Sequence, residues 1–181
     1  MKIINQDIEG VKLIKHDPFK DHRGSFTRIY CNEIFKNFGI ESKVSQANIS
    51  INKIPFTLRG FHCQIVPFAE DKTFKCINGS IYDIVVDLRK KSKTYLKWIH
   101  FNISESSDFS LHVPKGCANA FLTLKPNTVI HYLSSQKYKP LAERGVRYND
   151  PLFKFKWPRE PENISDKDKK IEDFNIKNKF F

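Results

Sequence analysis

Residues 76–89 read CINGSIYDIVVDLR, and no other stretch restricts the fold as strongly. Asn78-Gly79 is a turn pair, because glycine takes positive φ without steric cost. The run after it is built on Ile81, Tyr82, Ile84, Val85 and Val86. Such branched or aromatic side chains lose freedom in a helix and pack well on a pleated sheet. Asp83 and Asp87 interrupt the run as in an amphipathic strand, which places one toward a pocket, with Asp83 behind its wall, and the other in support of a turn beside a structural Arg89. Shorter strand-like runs recur in KWIHFNIS, FSLHVP and TVIHYLSS, separated by Gly, Pro and Asn turns. Helical periodicity is scarce. NEIFKNFG predicts one short helix ending at Gly39, and SDKDKKIEDF a second with Ser165 as its N-cap. Many short strands with few helices predict an all-β chain, a sandwich or barrel with the jelly roll as its leading form.

At 181 residues the chain is long enough to bury a core as one domain, 1–181, and 40% apolar content with 16 phenylalanines argues against disorder. The segment 157–181 carries Pro158, Pro161 and many charges, and is expected to lie over the barrel as an irregular tail. No apolar run approaches the roughly 20 residues of a membrane span. The opening MKIINQDIEG lacks the apolar stretch of a signal peptide, so the expectation is a cytoplasmic protein without a membrane partner. Cys31, Cys63, Cys76 and Cys117 form no C-x-x-C pair and no zinc spacing, which fits buried reduced thiols. Lys and Arg number 31 against 20 Asp and Glu, a net charge of +11 that attracts polyanions. These cations are spread through turns and ends such as RKKSK and DKDKK, with no basic helix or stacking motif. A solvated basic surface is expected, without a nucleic-acid partner. A phosphate-bearing small molecule would gain from the same field.

The densest polar group lies in LRGFHCQIVPFAEDK, residues 58–72, where Arg59, His62, Gln64 and Lys72 stand among apolar neighbours. Such a group inside a β-rich stretch suggests a lined pocket, with Gln64 in its wall. His16, His22, His100, His112 and His131 lack that context and are read as satisfied core or surface residues. DHRGSF (21–26), QANIS (46–50), GSIYDIVVDLRKKSKTYLKW (79–98), VPKGCANAF (113–121), YLSSQKYKP (132–140), YNDP (148–151) and ISDKD (164–168) complete a pattern with LRGFHCQ and Lys72. In this order and spacing the chain resembles the dTDP-4-dehydrorhamnose 3,5-epimerase family of cupin-fold sugar-nucleotide epimerases, over nearly its whole length.

The resemblance implies a cupin jelly-roll barrel, a homodimer with strands exchanged between subunits, and a nucleotide-linked 4-keto-6-deoxysugar as substrate, with no metal and no organic cofactor. Carbons 3 and 5 flank a ketone, so a base on one face and an acid on the other can invert them through an enolate. His62 matches the family's base, and histidine as a residue type titrates near working pH. Asp168 matches the carboxylate that orients it, Tyr132 the opposing acid, and Lys72 the cation beside the C4 oxygen, where negative charge develops. Arg23 and Arg59 match pyrophosphate binders, whose fork geometry suits phosphate. Gln46 and Asn48 match positions near the nucleoside and substrate entrance, and Tyr138 is read as pocket wall or core.

Two positions depart from the family pattern. Asn119 in GCANAF stands where relatives carry the histidine of GFAHGF, and an amide can donate a hydrogen bond but cannot carry a proton. A bias toward one carbon follows, and C5 is favoured because cytidine-linked relatives of this type include single-site epimerases. Arg28 in RGSFTR replaces a glutamate that contacts the nucleoside in thymidine-linked members, which opens a CDP-linked sugar beside a dTDP-linked one. Competing readings are a 3,4-ketoisomerase, a metal-dependent cupin oxygenase and a non-catalytic sugar-binding module. An oxygenase needs a cluster such as H-x-H followed by glutamate, and HCQ supplies one ligand. The complete set His62, Tyr132, Asp168 and Lys72 argues against the binding module.

Overall fold

The structure, a computed structural model, describes residues 1–177; residues 178–181 of the expected tail lie outside them. Fourteen strands, two short α-helices and one 3-10 turn (Pro140–Ala142) are described: β1 (Lys2–Asn5), β2 (Lys12–Lys15), β3 (Phe19–Asp21), β4 (Gly24–Phe26), α1 (Asn32–Asn37), β5 (Gln46–Asn52), β6 (Thr57–Gln64), β7 (Lys72–Asn78), β8 (Ser80–Asp87), β9 (Trp98–Ser104), β10 (Phe109–Val113), β11 (Cys117–Thr123), β12 (Thr128–Ser134), β13 (Glu143–Gly145), β14 (Asn163–Ile164) and α2 (Asp166–Lys169). One sheet runs β1-β2-β10-β7-β12-β5, and the other β13-β6-β11-β8-β9 with β14 added parallel to β6. This is the expected all-β jelly roll. The Asn78-Gly79 pair ends β7 in the first sheet and starts β8 in the second, so it turns a corner between sheets instead of closing a hairpin. Gly79 has φ +82°, and a Cβ there would collide with Thr128.

Phe74, Ile81, Val85, Leu111, Phe121 and Ile130 pack between the sheets. Each such burial stabilises by about 1.5–3 kcal/mol. A second layer covers the outer face of β6, β11 and β8, where Phe61, Ile84, Val86, Ala118 and Ala120 meet Phe153, Phe155 and Trp157. Phe155 stacks at 4.3 Å on Phe61 and at 5.0 Å on Phe153. The second layer covers the face of Ile84 and Val86; Asp83 and Asp87 lie on the opposite face with Ile81 and Val85, and both are fully buried, so neither face of β8 is the open one an amphipathic strand would leave. Asp87 accepts from Arg89 Nε at 2.8 Å, Ser92 Oγ at 2.6 Å and Thr94 Oγ1 at 2.7 Å, and so organises the turn after β8. Helix α1 covers the far face of the first sheet through Phe35, which packs with Ile14 and Ile40, and Gly39 follows its end at φ +62°.

The C-terminal segment carries more order than a loose strap. β14 pairs with Thr57 and Leu58 at the start of β6, and Ser165 Oγ then caps α2 by accepting from Asp168 N at 3.1 Å. The helix is shorter than 165–174 because the chain turns away after Lys169, bringing Phe174 to Phe153 at 5.4 Å. Asp168 is thereby set against β6. The β3–β4 hairpin is different: its six residues are exposed, and Phe19 and Phe26 lie 66% and 69% open to solvent. All four cysteines are free, and burial pushes the Cys63 and Cys117 thiols up to about 12. Among the described residues no helix is long and apolar enough to cross a membrane.

Candidate active site

Strand β5 shows where polarity collects. Gln46, Asn48, Ser50 and Asn52 are turned inward, whereas Ala47, Ile49 and Ile51 face out, the reverse of an ordinary core-covering strand. Gln46, Asn48 and Ser50 of that row border a cavity of about 690 Å³, whose lining also includes Arg59, His62, Lys72, Asn119, Tyr132 and Asp168. That volume suits a small-molecule site. His62 stands on β6 in one sheet, and Lys72 and Tyr132 stand on β7 and β12 in the other, so the cavity has titratable side chains on facing walls.

His62 Nε2 lies 2.7 Å from Asp168 Oδ1. An ionised carboxylate can only accept, so Nε2 carries the proton and Nδ1 keeps the lone pair. Burial works to raise the Asp168 carboxyl, but hydrogen bonds and charge from His62, with Gly60 N–H and Ser165 Oγ in support, hold it below the usual carboxylate range. The pair is positioned by a close approach of backbones. Gly60 has φ +119°, and a Cβ there would strike the carbonyl of Asn119 and Ala120 on β11. Two residues on, His62 pairs in register with Asn119.

Lys72 Nζ donates to the His62 carbonyl at 3.2 Å and meets Glu70 Oε1 at 3.2 Å. The Tyr132 ring lies 5.6 Å from that of Phe74 and pairs across β12 and β5 with Asn48. Arg59 Nε donates to Asn52 Oδ1 at 2.7 Å, which fixes the guanidinium at the cavity wall. Gln46 Oε1 accepts from Tyr138 N at 2.7 Å, holding an exposed Tyr138 at the rim rather than in the core.

A family model described as dTDP-4-dehydrorhamnose 3,5-epimerase matches residues 5–175. The chain belongs to that family. It is accordingly an isomerase of nucleotide-linked sugars in deoxysugar biosynthesis. Among relatives, the dTDP-4-dehydrorhamnose 3,5-epimerase of Sinorhizobium fredii is 36% identical over 84% of this chain and 78% of its own. The crystal structure of the Bacillus anthracis 3,5-epimerase, with TDP and PPi bound, superposes with a TM-score of 0.92 at 34% identity, covering 96% of this chain and 99% of that one. A 3'-monoepimerase from Streptomyces bikiniensis, in complex with dTDP-quinovose, gives a TM-score of 0.86 at 29% identity over 93% and 85% of the two chains.

Within this epimerase the departures become concrete. Asn119 Nδ2 donates to Asp83 Oδ2 at 3.0 Å, and Asp83 Oδ1 has no hydrogen-bond partner among the described residues. Burial pushes the Asp83 carboxyl well above the usual range, opposed by the Asn119 amide and the Lys72 charge. Asp83 therefore sits behind the wall that Asn119 presents. Arg23 and Arg28, expected to bind substrate, are exposed and line no part of this chain's own cavity. Arg23 instead pairs with Asp21 at 2.6 Å beside the hairpin turn.

The remaining histidines stand apart. His16 Nε2 meets Ser110 Oγ at 2.7 Å, His112 Nδ1 meets Thr73 Oγ1 at 3.0 Å, and burial lowers them to about 4 and about 3. His100 stacks on Tyr82 at 4.9 Å. Gln64 is a staple: Nε2 donates to the carbonyls of Phe68 and Lys137, each at 3.2 Å, and Oε1 accepts from Lys139 N at 2.5 Å. Among the described residues no group of three His, Cys, Asp or Glu side chains gathers for a metal ion.

Sequence reasoning missed Glu70, Glu143 and Lys167, which also line the cavity. Tyr138 Oη donates to Glu143 Oε2 at 2.7 Å, and Lys167 Nζ joins the same oxygen. Burial works to raise Glu143, but Lys167, Tyr138 and the His62 charge hold it below the usual carboxylate range. Lys167 adjoins Asp168 in the ISDKD motif, and Glu70 precedes Lys72 by two residues; both spacings were signals. Glu143 arrives through β13 pairing with β6 and had none.

Proposed function

We propose that this epimerase inverts C3, C5 or both in a dTDP-linked 4-keto-6-deoxyhexose. The observation that carries the reading is the His62–Asp168 pair on one sheet facing Tyr132 and Lys72 on the other. His62 Nδ1 removes the proton flanking the ketone. The electrons move onto the C4 oxygen, where Lys72 supplies a fixed donor as charge develops. Tyr132 delivers a proton from the opposite face, which inverts the carbon. Arg59, held by Asn52, takes the diphosphate, and Gln46, Asn48, Asn119 and Tyr138 shape the sugar and nucleoside ends.

Thymidine is favoured because the relatives' structures hold TDP and dTDP-quinovose. The cytidine-linked alternative has no such support among the relatives. The preference for C5 rested on cytidine-linked relatives and falls with it. Incubation with a dTDP-4-keto-6-deoxyhexose, borohydride reduction and stereochemical analysis should recover sugars inverted at C3 or C5. Recovery of unchanged sugar alone would contradict the reading.

A homodimer accounts for the hairpin. Ile49 and Ile51 leave 66% and 62% of their surface open on β5, an edge strand, while Phe19 and Phe26 project from a hairpin that packs on neither sheet. Exposed apolar faces and a free edge are costs that a second copy removes. The hairpin crossing to a partner would also bring Arg23 toward a phosphate. Sedimentation equilibrium should give twice the 21.2 kDa chain mass, and Phe26→Asp should shift it toward monomer with a raised KM. A monomeric parent would remove this part of the account. The cytoplasm, where four free thiols stay reduced, is the proposed setting.

A further inference from the structure

Glu70 is a cavity residue whose presence the proposed chemistry does not require. A carboxylate beside a forming enolate opposes its charge, so its position needs a cause. Its side chain is 9% exposed, with Oε1 at 3.2 Å from Lys72 Nζ and Oε2 accepting from Ser134 Oγ. The backbone around it is also pinned. Asp71 N donates to Ser135 Oγ at 2.8 Å, and Ser135 N returns a bond to the Asp71 carbonyl at 3.0 Å. Ser134 itself pairs in register with Lys72 across β12 and β7. The Glu70 carboxylate is thus a fixed point on a rigid frame, whereas a lysine ammonium rides on a flexible four-carbon stem.

An ammonium has three donors. In this cavity one meets Glu70, one meets the His62 carbonyl, and among the described residues the third is left for a ligand. We propose that Glu70 is a positioning residue for the epimerisation: tethered by Ser134, it holds the Lys72 ammonium so that its remaining N–H points at the oxygen on which enolate charge develops. The inference rests on the reading of Lys72 as the oxyanion partner. Donors fixed before reaction need no reorganisation as charge appears, so the benefit falls on the transition state and not on substrate binding.

The test is a set of variants assayed for kcat and KM separately. Glu70→Ala should lower kcat roughly ten- to hundredfold, the scale of one charge-assisted hydrogen bond, with KM within about twofold of the parent. Glu70→Gln keeps an oxygen acceptor for Lys72 and should recover kcat to within about threefold of the parent. Ser134→Ala cuts the tether without touching either charge and should lower kcat in the same direction. In a Lys72→Met background, Glu70→Ala should add less than about a twofold further loss, because the two residues act as one unit. Unchanged kcat in Glu70→Ala, with Lys72→Met inactive, overturns the positioning role and leaves the reading of Lys72 standing. A raised KM at unchanged kcat makes Glu70 a substrate contact and also overturns it. So does an undiminished effect of Glu70→Ala in the Lys72→Met background. Full activity in Lys72→Met removes the oxyanion role itself, and the positioning role with it.

Discussion

His62→Asn lowers turnover by at least about a hundredfold while the protein stays folded, the scale for losing a positioned general base. The two halves of that expectation have separate causes. Asparagine can still donate an amide hydrogen to Asp168, so the carboxylate does not become an unpaired buried charge. The His62 side chain is 30% exposed at a cavity wall, and its removal leaves the inter-sheet core intact. Catalysis, by contrast, loses the imidazole lone pair proposed to take the proton, because an amide nitrogen cannot accept a proton near neutral pH. Steady-state assay alongside a thermal melt checks both halves. A melting temperature close to the parent with turnover down at least a hundredfold is the expected pair of results, and near-normal turnover would remove His62 from its role.

Much of this arrangement was legible before any coordinates. The β-branched run in β8, the turn at Asn78-Gly79 and the Ser165 cap each follow from local stereochemistry, which acts within a few residues and is written in sequence. His62, Lys72, Tyr132 and Asp168 were found through motifs, and the fold gathers them around one cavity from β6, β7, β12 and α2. The illegible parts depend on packing from a distance. Asp83 and Asp87 look half-exposed in sequence, yet they share a face with Ile81 and Val85 and are fully buried, Asp83 against Asn119 thirty-six residues on. Glu143 enters the site only because β13 pairs with the end of β6. The Asn-Gly pair signalled a turn, but whether such a turn joins two paired strands or two sheets is settled by the strands' other partners. Arg23 marks the opposite limit: the DHRG motif suggests a phosphate role, and the single chain leaves the residue outside the cavity.

Tyr132→Phe should separate the two halves of the reaction, and its measurement is the most direct test of a base and an acid on facing sheets. The variant keeps the ring that packs on Phe74 and loses only the hydroxyl, so cavity shape is preserved. His62 can still remove a proton and return a solvent-derived one to the same face, whereas delivery from the far wall is lost. Proton NMR of a dTDP-4-keto-6-deoxyhexose in deuterium oxide reads both events at once, through loss of the C3 or C5 proton signal and through the couplings that report configuration. The account predicts deuterium entering in the variant with configuration retained, against deuterium entering with inversion in the parent. Full inversion in the variant would show that the opposing proton comes from elsewhere, and would contradict the assignment of acid and base to the two walls of the cavity.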